Sequence, residues 1–239
     1  RFLADPFVIK HKNRNICFVE DFNFDNCKGK ISAYELFNNT YKEIGTVLTE
    51  NFHLSFPFVF KHNEQVYMIP DTSEIREIRL YKCSEFPLKW NLEKVLIKNI
   101  DATDTVILKQ NNKWFLLTNV CSSSIGEHNS ELHIYESEDF LKNEWLKFNN
   151  NPIIFNSEKA RNGGLFFFNN EYYRINQVHK KNTYGYSFQI NKINVIEKNK
   201  YSEVQISEIK PTMFINSIGT HHFHMNEDFS VMDHLFLSK

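Results

Sequence analysis

Nine side chains of the kinds that bind or cleave sugars recur at strand boundaries of this chain. Asp5, His53, Asp104, Arg161 and His221 stand just before or at the start of apolar runs, while Glu20, Asp71 and Gln177 stand at the ends of the runs that follow. Tyr184 adds an aromatic face. Carboxylates and amides hydrogen-bond vicinal hydroxyls, and aromatic rings stack on sugar C–H surfaces, so brought together they suit a polyhydroxylated ligand. They are spread over more than two hundred positions, so only a repeated architecture can deliver them to one place.

That repeat is visible. Asp5-Pro6-Phe7-Val8-Ile9 followed by Ile16-Cys17-Phe18-Val19-Glu20 is echoed by Phe56-Pro57-Phe58-Val59-Phe60 with Val66-Tyr67-Met68-Ile69-Pro70-Asp71, and by Asp104-Thr105-Val106-Ile107-Leu108 with Trp114-Phe115-Leu116-Leu117. Asn162-Gly163-Gly164-Leu165-Phe166 with Tyr172-Tyr173-Arg174-Ile175 is a fourth copy, and Gly219-Thr220-His221-His222-Phe223 with Phe229-Ser230-Val231-Met232-Asp233 a fainter fifth. Pro6, Pro57, Thr105, Gly163 and Thr220 are 51, 48, 58 and 57 residues apart. A period near fifty with strand rather than helix patterning predicts one all-β domain over 1–239, a five-bladed β-propeller with blades starting near residues 5, 56, 104, 162 and 219. Leu80-Tyr81-Lys82-Cys83 running to Phe86 and Trp90, matched by Ile134-Tyr135-Glu136-Ser137 running to Phe140 and Trp145, is a second internal match outside the first. Asn111-Asn112 and Asn169-Asn170 suit tight turns. The fifth repeat is short, so its closure falls to Phe2-Leu3 or to sequence outside this chain.

In a propeller the innermost strand leaves one face of the disc and the second strand returns to it, which places all nine residues around a central pocket. Several have plainer roles open to them. Asp5 can cap a turn, Arg161 can pair with Glu158 or Glu171, and Glu20 can be a turn residue. His221 and His222, adjacent on a strand, point to opposite faces, so at most one reaches the pocket. Lys10-His11 and Lys61-His62 fall at the far ends of their strands and should be solvated.

Composition narrows the partners. Lys+Arg (28) and Asp+Glu (29) nearly cancel, giving no electrostatic reason to expect nucleic acid or an anionic membrane. No apolar run reaches the roughly 18 residues of a membrane span. The first residues lack a signal-peptide pattern, which favours a cytoplasmic over a secreted location. The chain begins at Arg1, consistent with a fragment of a longer protein. Cysteines 17, 27, 83 and 121 show no zinc spacing and read as buried thiols, with a Cys17–Cys27 disulfide the lesser alternative.

The motifs Ala4-Asp5-Pro6-Phe7-Val8-Ile9, His53-Leu54-Ser55-Phe56-Pro57-Phe58, Asp104-Thr105, Ala160-Arg161, Tyr184-Gly185 and Gly219-Thr220-His221 resemble one particular propeller domain. It is the N-terminal domain of plant glucosamine inositolphosphorylceramide transferases, also found fused to bacterial formyltransferase-like and surface-glycan enzymes. More distantly, the chain is similar to the propellers of glycoside hydrolase family 43. The first resemblance implies a module that binds a sugar or glycoconjugate beside a glycosyltransferase or formyltransferase, and that is not an enzyme in isolation. The second implies Asp5 as general base and Asp104 as modulator of a partner's pKa. Where those hydrolases begin blade four with an acidic Glu, this chain has Arg161-Asn162-Gly163, so Glu20 or Asp71 would have to supply the proton. No cofactor is implied, although the central channel leaves room for a Ca2+ ion or a structural water.

Overall fold

The computed structural model describes residues 1–122, 126–180 and 183–236. Strands β1 (Phe2–His11), β2 (Arg14–Asn23), β3 (Lys28–Phe37) and β4 (Thr40–Leu48) form the first antiparallel sheet in chain order. The second is β5 (Ser55–His62), β6 (Gln65–Asp71), β7 (Glu77–Glu85) and β8 (Lys89–Lys98). The third joins β9 (Ala102–Gln110), β10 (Lys113–Val120), β11 (Glu131–Ser137) and β12 (Leu146–Lys147), with β13 (Ile154–Phe155) also on β11. The fourth is β14 (Asn162–Phe168), β15 (Glu171–Lys180), β16 (Thr183–Glu197) and β17 (Lys200–Ile209).

The propeller class is as the repeat predicts, but the blade count is four rather than five. The remaining chain forms two two-stranded ladders, β18 (Ser217–Gly219) with β21 (Leu235–Phe236) and β19 (Phe223–Met225) with β20 (Ser230–Met232). Three-residue strands cannot build a blade, yet β19 packs against both β1 and β14, so the short hairpin fills the wedge between the first and fourth sheets. The Val8 amide donates to His224 Nδ1 (3.3 Å) across that seam. Phe2 and Leu3 do not close the ring; they pair with Phe22 and Asp21 inside the first sheet.

All four inner hairpins turn on two residues with positive φ: Lys12-Asn13, Asn63-Glu64, Asn111-Asn112 and Asn169-Asn170. Such paired left-handed residues match the right-handed twist of the flanking strands, and Asn adopts them at low cost. Beyond the turns the inner strands are apolar on both faces because each lies between neighbouring sheets. Phe7, Phe18, Phe56 and Phe115 are buried, and Phe7 meets Phe56 edge-on at 5.0 Å in the centre. Burial of each such ring contributes about 1.5–3 kcal/mol. Trp90 and Trp145 of the second internal match are both buried. His11 is buried as well, its ring 4.8 Å from Phe86, against the expectation that the strand ends are solvated. Cys17 and Cys83 are buried, Cys27 is exposed, and no disulfide links the cysteines.

Candidate functional site

The same irregularity opens the first three inner strands. Asp5-Pro6 bulges opposite Val19, Phe56-Pro57 opposite Pro70, and Asp104-Thr105 opposite Thr118. The first residue of each bulge has φ near +50° (51°, 44° and 52°), a conformation that costs a non-glycine residue about 1–3 kcal/mol. In the fourth sheet Asn162 pairs with Asn176 and Leu165 with Arg174, so Gly163 is the counterpart of Asp5, one place later than the repeat alignment puts it. A Cβ on Gly163 would lie 2.4 Å from the His221 carbonyl. The blade-four position carries no side chain because the closing segment passes there.

On the returning strands Glu20, Asp71, Asn119 and Asn176 occupy equivalent places, each opposite the residue before the bulge. The two amides are spent on the backbone: Asn119 donates to the carbonyls of Glu131 and Ala160, and Asn176 to those of Glu158 and Gln177. The two carboxylates differ from one another. Asp71 accepts from Thr103 Oγ1 and from the Ser73 amide (2.7 Å). Glu20 has His53 Nε2 nearby at 3.7 Å.

A cavity of about 380 Å³ opens at this face, lined by Asp5, Glu20, His53, Tyr184, His221 and Asp233, with Phe2, Leu3 and Leu235 among its apolar walls. Five of the nine residues singled out from the sequence therefore share one wall. His221 sits between two carboxylates, Nδ1 3.0 Å from Asp233 and Nε2 3.5 Å from Asp5. Burial alone would lower its pKa, but the negative charges of Asp233 and Asp5 raise it to about 9. Conversely, the imidazolium holds Asp233 well below the carboxylate range although burial opposes this. Burial pushes Asp5 up to about 7 against the pull of His221. Glu20 rises to about 9, through burial first and then the nearby charge of Asp5, so at neutral pH it carries a proton to donate. His53 accepts the Gly29 amide at Nδ1 (2.9 Å), which leaves the proton on Nε2 facing Glu20, and burial keeps this imidazole neutral. His221 and His222 lie between β18 and β19 rather than on a strand; His222 does not line the cavity but is buried 4.4 Å from the Phe7 ring with its Nδ1 3.6 Å from Asp5, and burial lowers it to about 3.

The other four expected site residues do not line this cavity. Asp104 receives Arg161 Nε at 2.7 Å, Thr103 Oγ1 at 3.1 Å and Gln177 Nε2 at 3.3 Å. Arg161 therefore pairs with neither Glu158 nor Glu171; its Nη1 donates to Asn129 Oδ1 (2.9 Å), and its guanidinium lies 5.3 Å from the Tyr184 ring centre. Asp71 is buried, which raises its pKa. Gln177 is also buried, and its Oε1 meets no hydrogen-bond donor among the described residues.

Residues outside those nine hold the others. Asp233 accepts the amides of His221 (3.0 Å) and His222 (3.1 Å) as well as pairing with the His221 ring. Its place at the end of the fifth repeat's second run was the available signal. Gly185, at φ +59°, has His221 Cβ 2.7 Å from where its own Cβ would stand. His179 stacks on Tyr184 at 4.8 Å and 21°.

Asp5, His221 and Asp233 present donor atoms within 4.8 Å of one another. Ca2+ takes six to eight oxygens, more than two carboxylates supply, and the His221 imidazolium already provides the positive charge between them. The residues present do not make a protein cage for Ca2+.

Among the described residues no helix is long and apolar enough to cross a membrane. The α-L-arabinofuranosidase PaAbf62A from Podospora anserina, solved with cellotriose, shares the fold: TM-score 0.68 at 11% identity, over 92% of this chain and 76% of that one. Glucosamine inositolphosphorylceramide transferase 1 of Arabidopsis thaliana is 32% identical over 237 residues, which is 95% of this chain and 30% of that protein. The Oryza sativa subsp. japonica protein of the same name is 35% identical over 212 residues, 86% of this chain and 28% of its own length. The chain thus spans about a third or less of these relatives. Residues 1–227 match the family described as glucosamine inositolphosphorylceramide transferase 1, N-terminal, and the chain belongs to that family.

Proposed function

We propose that this propeller recognises a sugar or sugar conjugate in its central cavity and serves an enzyme of cell-surface glycan biosynthesis, a glycosyltransferase or a formyltransferase. One observation carries the reading: Asp5, Glu20, His53, Tyr184 and His221 line a cavity of about 380 Å³, a size suited to a small ligand with a few placed polar groups. The relatives' name, a transferase of glucosamine and inositolphosphorylceramide, supports a glycan-building setting. Gly163 at the blade-four position supports binding rather than hydrolysis, since it supplies no acid there. The test is calorimetric titration with hexoses, hexosamines, inositol and nucleotide sugars, repeated on Asp5→Asn and Glu20→Gln. For the ligand that binds, each variant should weaken affinity at least tenfold. Unchanged affinity in both would refute the site.

A second reading is a glycosidase of the family 43 type, favoured by the proton held on Glu20 beside the Asp5 carboxyl. In it Glu20 donates to the leaving oxygen while Asp5, once deprotonated, activates water. Asp104, bound to Arg161, is the pKa modulator of that scheme. Hydrolysis of alkyl furanosides and pyranosides, whose alkoxide leaving groups need the proton, abolished by Glu20→Gln, would establish it; turnover equal to the solvent rate would remove it.

A further inference from the structure

We propose that Asp101, Cys121 and His128 form a zinc site at the rim of the third sheet, separate from the central cavity. Ala102 and Val120 are the last registered pair between β9 and β10. The Cys121 amide then donates to the Asp101 carbonyl (2.9 Å), extending the ladder one step and fixing two of the ligands side by side on backbone. The chain returns through Glu127 to bring His128 Nε2 to 2.7 Å from Asp101 Oδ1. The thiol sulfur, an imidazole nitrogen and a carboxylate oxygen all lie within 4.8 Å of one another. Tetrahedral zinc needs ligand atoms about 3.3–3.8 Å apart, given bonds of about 2.0–2.3 Å, so small side-chain rotations suffice. The other Asp101 oxygen, Oδ2, is held by Arg76 Nη1 (3.1 Å), as an outer partner orients a ligating carboxylate.

Donor chemistry selects the metal. A thiolate, an imidazole and a carboxylate together favour Zn2+ over the hard cations Ca2+ and Mg2+. The side chains of Asp101 and His128 are 29% and 25% exposed, so a water can complete the coordination. On binding, Cys121 Sγ releases one proton to solvent, His128 ligates as neutral imidazole through Nε2 with its proton on Nδ1, and its hydrogen bond to Asp101 is exchanged for the metal. The next residue, Asn129, accepts Arg161 Nη1, and Arg161 holds Asp104. Filling the site would therefore fix the anchor of the Arg161–Asp104 pair.

The test uses chelator-treated protein titrated with zinc, and with cobalt as a spectroscopic probe. One equivalent should bind, with a cobalt–thiolate charge-transfer band in the near ultraviolet and about one proton released. Cys121→Ser should abolish the band, His128→Gln should weaken binding at least tenfold, and Cys27→Ser should change neither. His221→Gln, which alters the other cluster of potential ligands, should also leave binding unchanged. Absence of one-to-one binding, a band that survives Cys121→Ser, or binding lost only in His221→Gln would each overturn the assignment. Circular dichroism of each variant separates lost binding from lost folding.

Discussion

Asp5 and Asp104 occupy the same place in their blades, with the same bulge and nearly the same φ (51° and 52°), yet their surroundings have opposite character. Asp104 lies in a closed lattice of Arg161, Thr103 and Gln177, a set of partners that spends a carboxylate on holding sheets three and four together. Asp5 lies against the closing segment, between two histidines at 3.5 and 3.6 Å, and faces a cavity. The difference shows what the missing fifth blade does. Where a full neighbouring sheet abuts, polar groups are consumed by inter-sheet contacts; where only a short hairpin abuts, they remain turned toward a space a ligand can enter.

Breaking the closed half should have the largest effect. Arg161→Met leaves Asp104 buried without its cation, and we expect a loss of about 3–5 kcal/mol in urea unfolding. Gly185→Ala attacks the open half, since the added methyl would meet His221 at 2.7 Å in a strained backbone conformation. A loss of about 2–3 kcal/mol is expected, together with a shifted His221 resonance in NMR; an unshifted resonance would show that the seam yields elsewhere. Thr103→Val removes the hydroxyl that donates toward Asp71 and Asp104, at about 1–2 kcal/mol.

The smallest effect is on pH dependence and tests the Asp5 side of the comparison. Asp5 rises from 3.8 to about 7 in the folded protein, so between those values the native state holds a proton that the unfolded chain has released. Stability then falls as pH rises through that window, by at most about 1.4 kcal/mol per pH unit for one proton. His221, raised from 6.5 to about 9, acts with the same sign: its contribution is complete below pH 6.5 and is lost as pH climbs through 9. The difference in melting temperature between the unmodified protein and Asp5→Asn should decline as pH rises from 4 to 7. A constant difference would show that Asp5 is not the group holding the proton.

Much of this was legible in the residues. Apolar double strands marked the four blades, with paired Asn turns in the third and fourth and the Trp90 and Trp145 positions in the second and third, while the fainter fifth repeat, read as a blade, folds as two short ladders. The repeat misplaced blade four by one residue because Asn162-Gly163-Gly164 offers two glycines where the other copies have one bulge, and only strand register shows which of them faces Asp5's position. Of the nine expected site residues, Asp5, Glu20, His53, Tyr184 and His221 meet in the cavity. Asp71, Asp104, Arg161 and Gln177 are of the same chemical types and lie at comparable strand boundaries, but they bond to one another and to neighbouring blades.

The sequence by itself determined the local units, because hairpin turns and strand patterning depend on neighbours a few residues apart. Tertiary structure decided which polar residues are spent and which are available. That depends on what packs beside each blade, and the decisive neighbour of Asp5 is His221, 216 positions later in the chain.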